Sequence, residues 1–253
     1  MRLEFVRLLQ IQRDLYDIPR GPERFEAYLR TLVDPQTGDL ALPLTAMNPM
    51  GKDHLPALLD EYLRLDADGA AEKVVSGIAE KYPNLAGSFK VSLIIADDLK
   101  GGWTNRYASE FNYRLETDAL HKRGWSVGIL WTSEPPTIET AIQEARMAGY
   151  RAVYLEQHGP ARTLREMLAQ EGFVAAMAGC IEPVLDPEDL DYTRQVMAPL
   201  LEAGDRPTIM AALFGDEAAR QLGYPPQGLS HRAGFAWALH EAQALRSPAA
   251  LLK

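Results

Sequence analysis

The sequence predicts an α/β fold: a small, mainly parallel sheet of three to five strands, flanked by many helices, with a helical N-terminal region. Short apolar, β-branched runs at 89–96, 125–132 and 207–214 each stop at polar, turn-rich residues, as buried parallel strands do. Around them, apolar residues recur at three- and four-residue spacing, the period of helices packed on a core. Residues 1–84 carry only that helical texture, so a helical region at 1–84 is expected to pack on an α/β domain at 85–253.

Within the N-terminal region, Leu8, Ile11, Leu15 and Ile18 share one helical face, and Pro19-Arg20-Gly21-Pro22 ends that helix. Phe25, Tyr28, Leu29 and Leu32 repeat the pattern up to Asp34-Pro35. Residues 34–51 hold irregularly spaced prolines and glycines and read as a long loop, with Leu40–Met47 as a short edge strand. Leu55, Leu58, Leu59, Tyr62 and Leu63 define a third helix. Ala71, Val74, Val75, Ile78 and Tyr82 define a fourth, which stops at Pro83.

From residue 88 the texture changes. Phe89–Ala96 is a strand, and Trp103, Tyr107, Phe111 and Leu115 mark the helix after it, with Gly124 beyond its end. Trp125–Thr132 is the next strand, followed by Ser133-Glu134-Pro135-Pro136 and a helix carrying Ile138, Ala141, Ile142 and Ala145. Residues 150–158 suit helix or strand equally. Leu164, Met167 and Leu168 belong to a further helix. Asp186-Pro187-Glu188-Asp189 is a helix start, with an Asp cap, Pro in the first position and acids in the first turn. Pro199 kinks or stops that helix. Pro207–Phe214 is the third strand, and Ser230 caps the last helix.

A chain of 253 residues can bury a substantial core. Its formal net charge of −9 argues against a nucleic-acid partner, because phosphate binding needs a basic field and no Lys/Arg run occurs. One cysteine, Cys180, excludes an intrachain disulfide and a cysteine-cluster metal site, in keeping with a cytoplasmic location. The charged N-terminal residues do not read as a secretory leader, and no apolar run suits a membrane span.

In open α/β sheets, ligands sit at the carboxyl ends of the strands. The three runs end in Asp97-Asp98, in Thr132-Ser133-Glu134 and in Gly215-Asp216-Glu217. Brought to one sheet edge, Asp97, Asp98 and Glu134 would serve as acid or base. Asp97 and Asp98 would also suit a hard divalent ion, Mg²⁺ or Mn²⁺. The bland alternative is that these are turn and cap residues, Asp216 above all. Next along the chain, Gly101, Gly102, Thr104, Asn105 and Arg106 have the character of an anion-holding loop and helix start. The plainer reading is a flexible turn with Arg106 paired to Glu110 one turn on. In the 34–51 loop and just after it, Asn48-Pro49-Met50-Gly51-Lys52-Asp53-His54 could bring His54 to the site; otherwise Asp53 caps the next helix and His54 is solvated.

Neither a Walker loop nor a dinucleotide fingerprint occurs, and His-Glu-x-x-His and Gly-x-Ser-x-Gly are absent too. The sequence therefore suggests a hydrolase or transferase acting on a small anionic metabolite at the carboxyl edge of the sheet, with a divalent cation as the candidate cofactor. Two other readings stand beside it. One is a non-catalytic binding or regulatory protein using the same cleft. The other is a helical interaction or homo-oligomer-forming protein.

Overall fold

The computed structural model describes residues 1–99, 104–116 and 118–245. Three parallel strands form one sheet in the order β1 (Arg2–Phe5), β2 (Ser88–Ala96), β3 (Trp125–Trp131), with helices elsewhere along the chain. The fold class is α/β. β2 and β3 are almost wholly buried, as expected of a strand covered on both faces, whereas β1 alternates.

The chain divides into two compact units. The first comprises residues 1–113 and 118–152, and the second residues 114–117 and 153–253. In the first unit β1 leads through α1 (Leu9–Asp17), α2 (Pro22–Leu32), α3 (His54–Arg64) and α4 (Ala67–Lys81) into β2. Then come α5 (Arg106–Arg114), α6 (Asp118–His121), β3 and the first part of α7 (Ile138–His158). Met47, Leu55, Leu59, Tyr62, Val75, Leu93 and Trp131 are among its buried apolar side chains.

β1 corrects the all-helical reading of residues 1–84. Four residues are too few for an alternating pattern to stand out, and its partner lies far along the chain, with Arg2 opposite Ser88. β1 pairs with β2 only as far as Val91. Farther along β2 a side chain replaces the missing strand. Gln12 of α1, 1% exposed, donates from Nε2 to the Ile95 carbonyl (3.0 Å) and accepts the Ile95 N–H at Oε1 (2.8 Å). At β3, Glu144 of α7 accepts the Ile129 N–H (3.3 Å), and the Ser126 hydroxyl donates to the Ala148 carbonyl (2.8 Å). Gln12 and Glu144 thus satisfy strand backbone groups that a wider sheet would pair with another strand, while Ser126 ties β3 to the α7 backbone.

The expected strand at Pro207–Phe214 is instead helix α10 (Arg206–Phe214) in the second unit. A short continuous apolar run fits a buried helix as well as a strand. The Asp205-Arg206-Pro207 opening decides it: Asp205 caps the helix by accepting the Thr208 N–H (3.0 Å), and Pro occupies its first turn. Residues 150–158 are helical, within α7. Leu40–Met47 contains one antiparallel bridge, Val33 to Leu40, and is otherwise loop.

Also in the second unit, α8 (Leu164–Ala178) opens with a capping box between Thr163 and Glu166. α9 (Pro187–Met197) starts on the Asp186 cap and yields to a 3₁₀ turn at Ala198–Leu200, where Pro199 falls. After α11 (Asp216–Gln221), α12 (Ala233–Ala244) begins behind Arg232 in a left-handed conformation (φ 56°), so Ser230 is not its cap. α8 and α12 cross where a Cβ on Gly172 would stand 2.6 Å from the Ala238 carbonyl oxygen, so that contact requires glycine.

Candidate functional site

Sheet register assembles the centre of the site. Ala96 lies opposite Trp131, and the Thr132 N–H continues the ladder to the Ala96 carbonyl (3.2 Å). Asp97 and Asp98 therefore leave β2 beside Thr132 and Ser133 as these leave β3, which is the convergence expected of parallel strand ends.

The third contributor is the loop between α2 and α3. It has almost no regular structure, yet buried phenols pin it. Tyr113 of α5 donates to the Pro43 carbonyl (2.8 Å) and accepts the Ala46 N–H (3.2 Å), leaving the Thr45 hydroxyl to donate to it (2.8 Å). Tyr28 donates to the Leu44 carbonyl (3.2 Å), and Tyr16 donates to the Asn48 carbonyl (2.6 Å). So held, the loop delivers Asn48 to Asp97 and starts α3 with His54 facing the same carboxylate. Asp53 occupies the α3 cap position without making a side-chain cap bond, and Lys52 and Asp53 are exposed.

Asp97 is 2% exposed. Its Oδ1 accepts from His54 Nε2 (3.1 Å) and Thr132 Oγ1 (3.0 Å), and its Oδ2 accepts from Asn48 Nδ2 (3.2 Å). Burial pushes the carboxyl up, but the donors His54, Thr132 and Asn48 outweigh it, and Asp97 stays below the ordinary carboxylate value. An ionised carboxylate only accepts, so the imidazole proton shared with it sits on Nε2. His54 Nδ1 is buried and, among the described residues, has no hydrogen-bond partner.

Asp98 has a different environment. It accepts from the Ser133 N–H (2.8 Å), the Ser133 hydroxyl (2.6 Å) and Arg106 Nη1 (3.1 Å), and the Thr132 hydroxyl oxygen stands 3.0 Å from its Oδ1. It works as the fastener between the two strand ends. Arg106 lies at the centre of three carboxylates: Asp98, Glu110 through Nε (3.2 Å), and Glu134 through Nη2. Its guanidinium stacks on the Trp131 ring, 4.9 Å from the centroid. Burial works against its charge, but Glu134 and Glu110 more than compensate, and its proton is held more tightly than usual.

The rest of the expected anion-holding segment is also engaged within the protein. Asn105 Oδ1 caps α5 by accepting the Ala108 N–H (3.0 Å), and the Thr104 hydroxyl donates to the Ala46 carbonyl (3.4 Å). Gly101 and Gly102 lie outside the described residues. Asp216 does not follow a strand, because residues 206–214 are helical. It opens α11 in the second unit, and its carboxylate accepts the N–H groups of Gln227 (2.8 Å), Gly228 (3.0 Å) and Leu229 (3.1 Å). The strand ends therefore bring together Asp97, Asp98 and Glu134, joined by Arg106 and Ser133, with His54 on the far side of Asp97. Among the described residues no group of three or more His, Cys, Asp or Glu side chains is arranged to hold a metal ion.

His54, Thr132, Ser133 and Glu134 open onto a cleft of about 610 Å³, completed by Ala57, Leu58 and Glu61 of α3 and by Leu99, Pro135 and Pro136. Its size suits a small molecule, and its walls are largely apolar. In the sequence Asn48 and Thr132 stand only as members of polar stretches, with no role assigned to either. Thr132 was legible as the residue one past the strand, in register with the Asp pair, whereas Asn48 gave no signal apart from its polar neighbourhood.

Comparison with protein-family models, with curated proteins and with solved structures gives no match to this chain.

Proposed function

We propose that the protein is an enzyme that performs acid–base chemistry on a small molecule, with His54 as the proton-transferring group and Asp97 as its orienting partner. One observation carries the reading. A histidine lining a cleft at the carboxyl edge of a parallel sheet is hydrogen-bonded through Nε2 to a carboxylate that is 2% exposed and kept ionised by further donors. That is the arrangement by which a carboxylate fixes a histidine tautomer and steadies the imidazolium formed during proton transfer. Among the described residues His54 Nδ1 has no partner, so its lone pair is uncommitted; the atom is buried, and the ring must shift toward the cleft it lines before Nδ1 exchanges a proton with a ligand or an activated water.

The cleft supports non-covalent chemistry. Ser133 commits its hydroxyl hydrogen to Asp98 and receives a bond from Arg106, so it is not poised as a nucleophile. Hydrolysis by an activated water and transfer between small molecules both fit a histidine base in a largely apolar cleft. A divalent ion, if used, would draw its ligands partly from the substrate, as Mg²⁺ commonly does.

A turnover screen tests this. The full-length protein is incubated with activated esters, phosphate esters and a metabolite mixture, and products are followed by absorbance and mass spectrometry. Any activity found should fall about 10²–10⁴-fold in His54→Gln and in Asp97→Asn, with melting temperatures within a few degrees of wild type. Turnover that survives both substitutions in folded protein would refute the assignment.

A non-catalytic binding protein using the same cleft is the second reading. It is favoured by the engagement of Arg106, Ser133 and Asn105 within the protein, which leaves few groups to do more than recognise a ligand.

A further inference from the structure

Thr132 lies beside the proton-transferring pair, and its hydroxyl is a donor within reach of both adjacent carboxylates. Oγ1 stands 3.0 Å from Asp97 Oδ1 and 3.0 Å from Asp98 Oδ1. A hydroxyl has one hydrogen to give, so the two acids compete for it. Its acceptor side is occupied by the N–H groups of Asp98 (3.0 Å) and Leu99 (3.2 Å), which fixes where the oxygen sits.

The competition is unequal. Asp98 already holds the Ser133 N–H, the Ser133 hydroxyl and a guanidinium N–H, and this last is charge-assisted. A further donor adds little to a carboxylate so supplied. Asp97 is the more deeply buried of the two, its side chain 2% exposed against 8% for Asp98. The His54 imidazole, a titratable donor, and the Asn48 amide, an uncharged one, also bond to it. A buried charge gains most from each added donor.

We infer that the Thr132 hydroxyl donates to Asp97 and is the positioning residue that sets the proton affinity of the His54–Asp97 pair. By stabilising the ionised carboxylate it keeps Asp97 an acceptor, the proton on His54 Nε2, and the basic lone pair on Nδ1. This rests on His54 being the acid–base group. It adds that a neutral hydroxyl from the neighbouring strand end tunes that group. Among the described residues, other titratable groups near the pair include Tyr16 from α1, Glu61 from α3, Asp98 and Glu134 after the strand ends, and Arg106 at the start of α5. A substitution at Thr132 leaves their identities unchanged.

The test is an NMR titration of the His54 imidazole in the full chain, comparing wild type with Thr132→Val and Thr132→Ser. Without the hydroxyl the Asp97 carboxylate becomes more basic and holds an imidazolium more firmly. The His54 midpoint should therefore rise by about 0.5–1 pH unit in Thr132→Val, roughly a three- to tenfold change in proton affinity, and Thr132→Ser should restore it. A purely structural role for Thr132 would lower the melting temperature of Thr132→Val but leave the midpoint within about 0.2 unit of wild type, and that result overturns the inference. If Thr132→Val does not fold, Thr132→Cys replaces it. Its thiol still accepts the two backbone N–H groups while donating only weakly, so the same rise is expected and the same null result refutes. Failure of the enzymatic reading appears elsewhere, as turnover that persists in His54→Gln.

Discussion

Replacing Gln12 by Met would show how much the fold depends on one amide standing in for a strand. Met keeps the length and flexibility of Gln and removes both its donor and its acceptor. The Ile95 N–H and carbonyl then lose their partners in a region where Ile95 is 1% exposed. Each orphaned buried group costs about 1–3 kcal/mol, for a gross loss of about 2–6 kcal/mol. Burying a thioether in place of an amide returns part of that, so the expected net loss is about 2–3 kcal/mol. For a chain of this size each kcal/mol moves the melting temperature by about 2–4 °C, which predicts a drop of about 4–12 °C. Differential scanning calorimetry measures it, and amide exchange at Ile95 should accelerate. Gln10→Met, on the exposed face of the same helix, is the control and should stay within about 0.5 kcal/mol. A melting temperature lowered by less than 2 °C in Gln12→Met, with unchanged exchange at Ile95, would refute the reasoning.

Other substitutions probe the same physics. Asp68 of α4 is 6% exposed, one of its carboxyl oxygens has no partner among the described residues, and burial raises its pKa to about 7. Because its folded pKa lies above the unfolded value, the folded state binds the extra proton, and stability falls as pH rises from about 4 to 7. Asp68→Asn should therefore match wild type near pH 4 and exceed it at pH 8, by at most about 4 kcal/mol, in urea titrations at the two pH values; equal stability at pH 8 would sink this. Asp97 shows the opposite sign. Its depressed pKa gives stability present above about pH 4 and lost as pH falls further, so the acid limb of the melting-temperature profile should be shallower in Asp97→Asn. Asp216→Ala frees three backbone N–H groups and should cost about 1–3 kcal/mol by thermal melting without altering any turnover. Tyr113→Phe should cost about 1–2 kcal/mol and speed amide exchange at Ala46.

The readable parts of the fold were those with long or punctuated patterns. Helices α1 to α4 show three- and four-residue apolar spacing with clear stops, and β2 and β3 are continuous apolar runs bounded by polar turns. β1 was hidden because four residues carry too little period and its pairing is non-local. Residues 207–214 misled because a buried helix and a buried strand are both uniformly apolar, and the capping Asp205 was the residue to weigh. At the site, the adjacency of Asp97, Asp98 and Glu134 followed from strand ends alone. Whether Arg106 would face outward or inward could not follow, because that depends on which of several nearby acids its side chain meets. His54 was visible as a polar residue beside a long loop. Its approach to Asp97 depends on buried tyrosines that pin that loop from three different helices, and no local pattern encodes this.

Two aspartates adjacent in sequence thus have separate tasks because alternate side chains leaving a strand meet different neighbours. Asp98 turns toward Ser133 and Arg106, where backbone, hydroxyl and guanidinium donors saturate it and tie the β2 and β3 ends together. Asp97 turns toward α3 and the pinned loop, where a histidine and an amide meet it in a drier environment. The first arrangement is stable because its donors are numerous and one is charged. The second is responsive because one of its donors can gain or lose a proton. Thr132 lies between them at equal distance from both. Unlike environments for adjacent titratable groups are how acid and base roles are assigned within one site. Here the saturated aspartate ties the strand ends together, and in the function proposed above the aspartate paired with histidine is the one assigned to the chemistry.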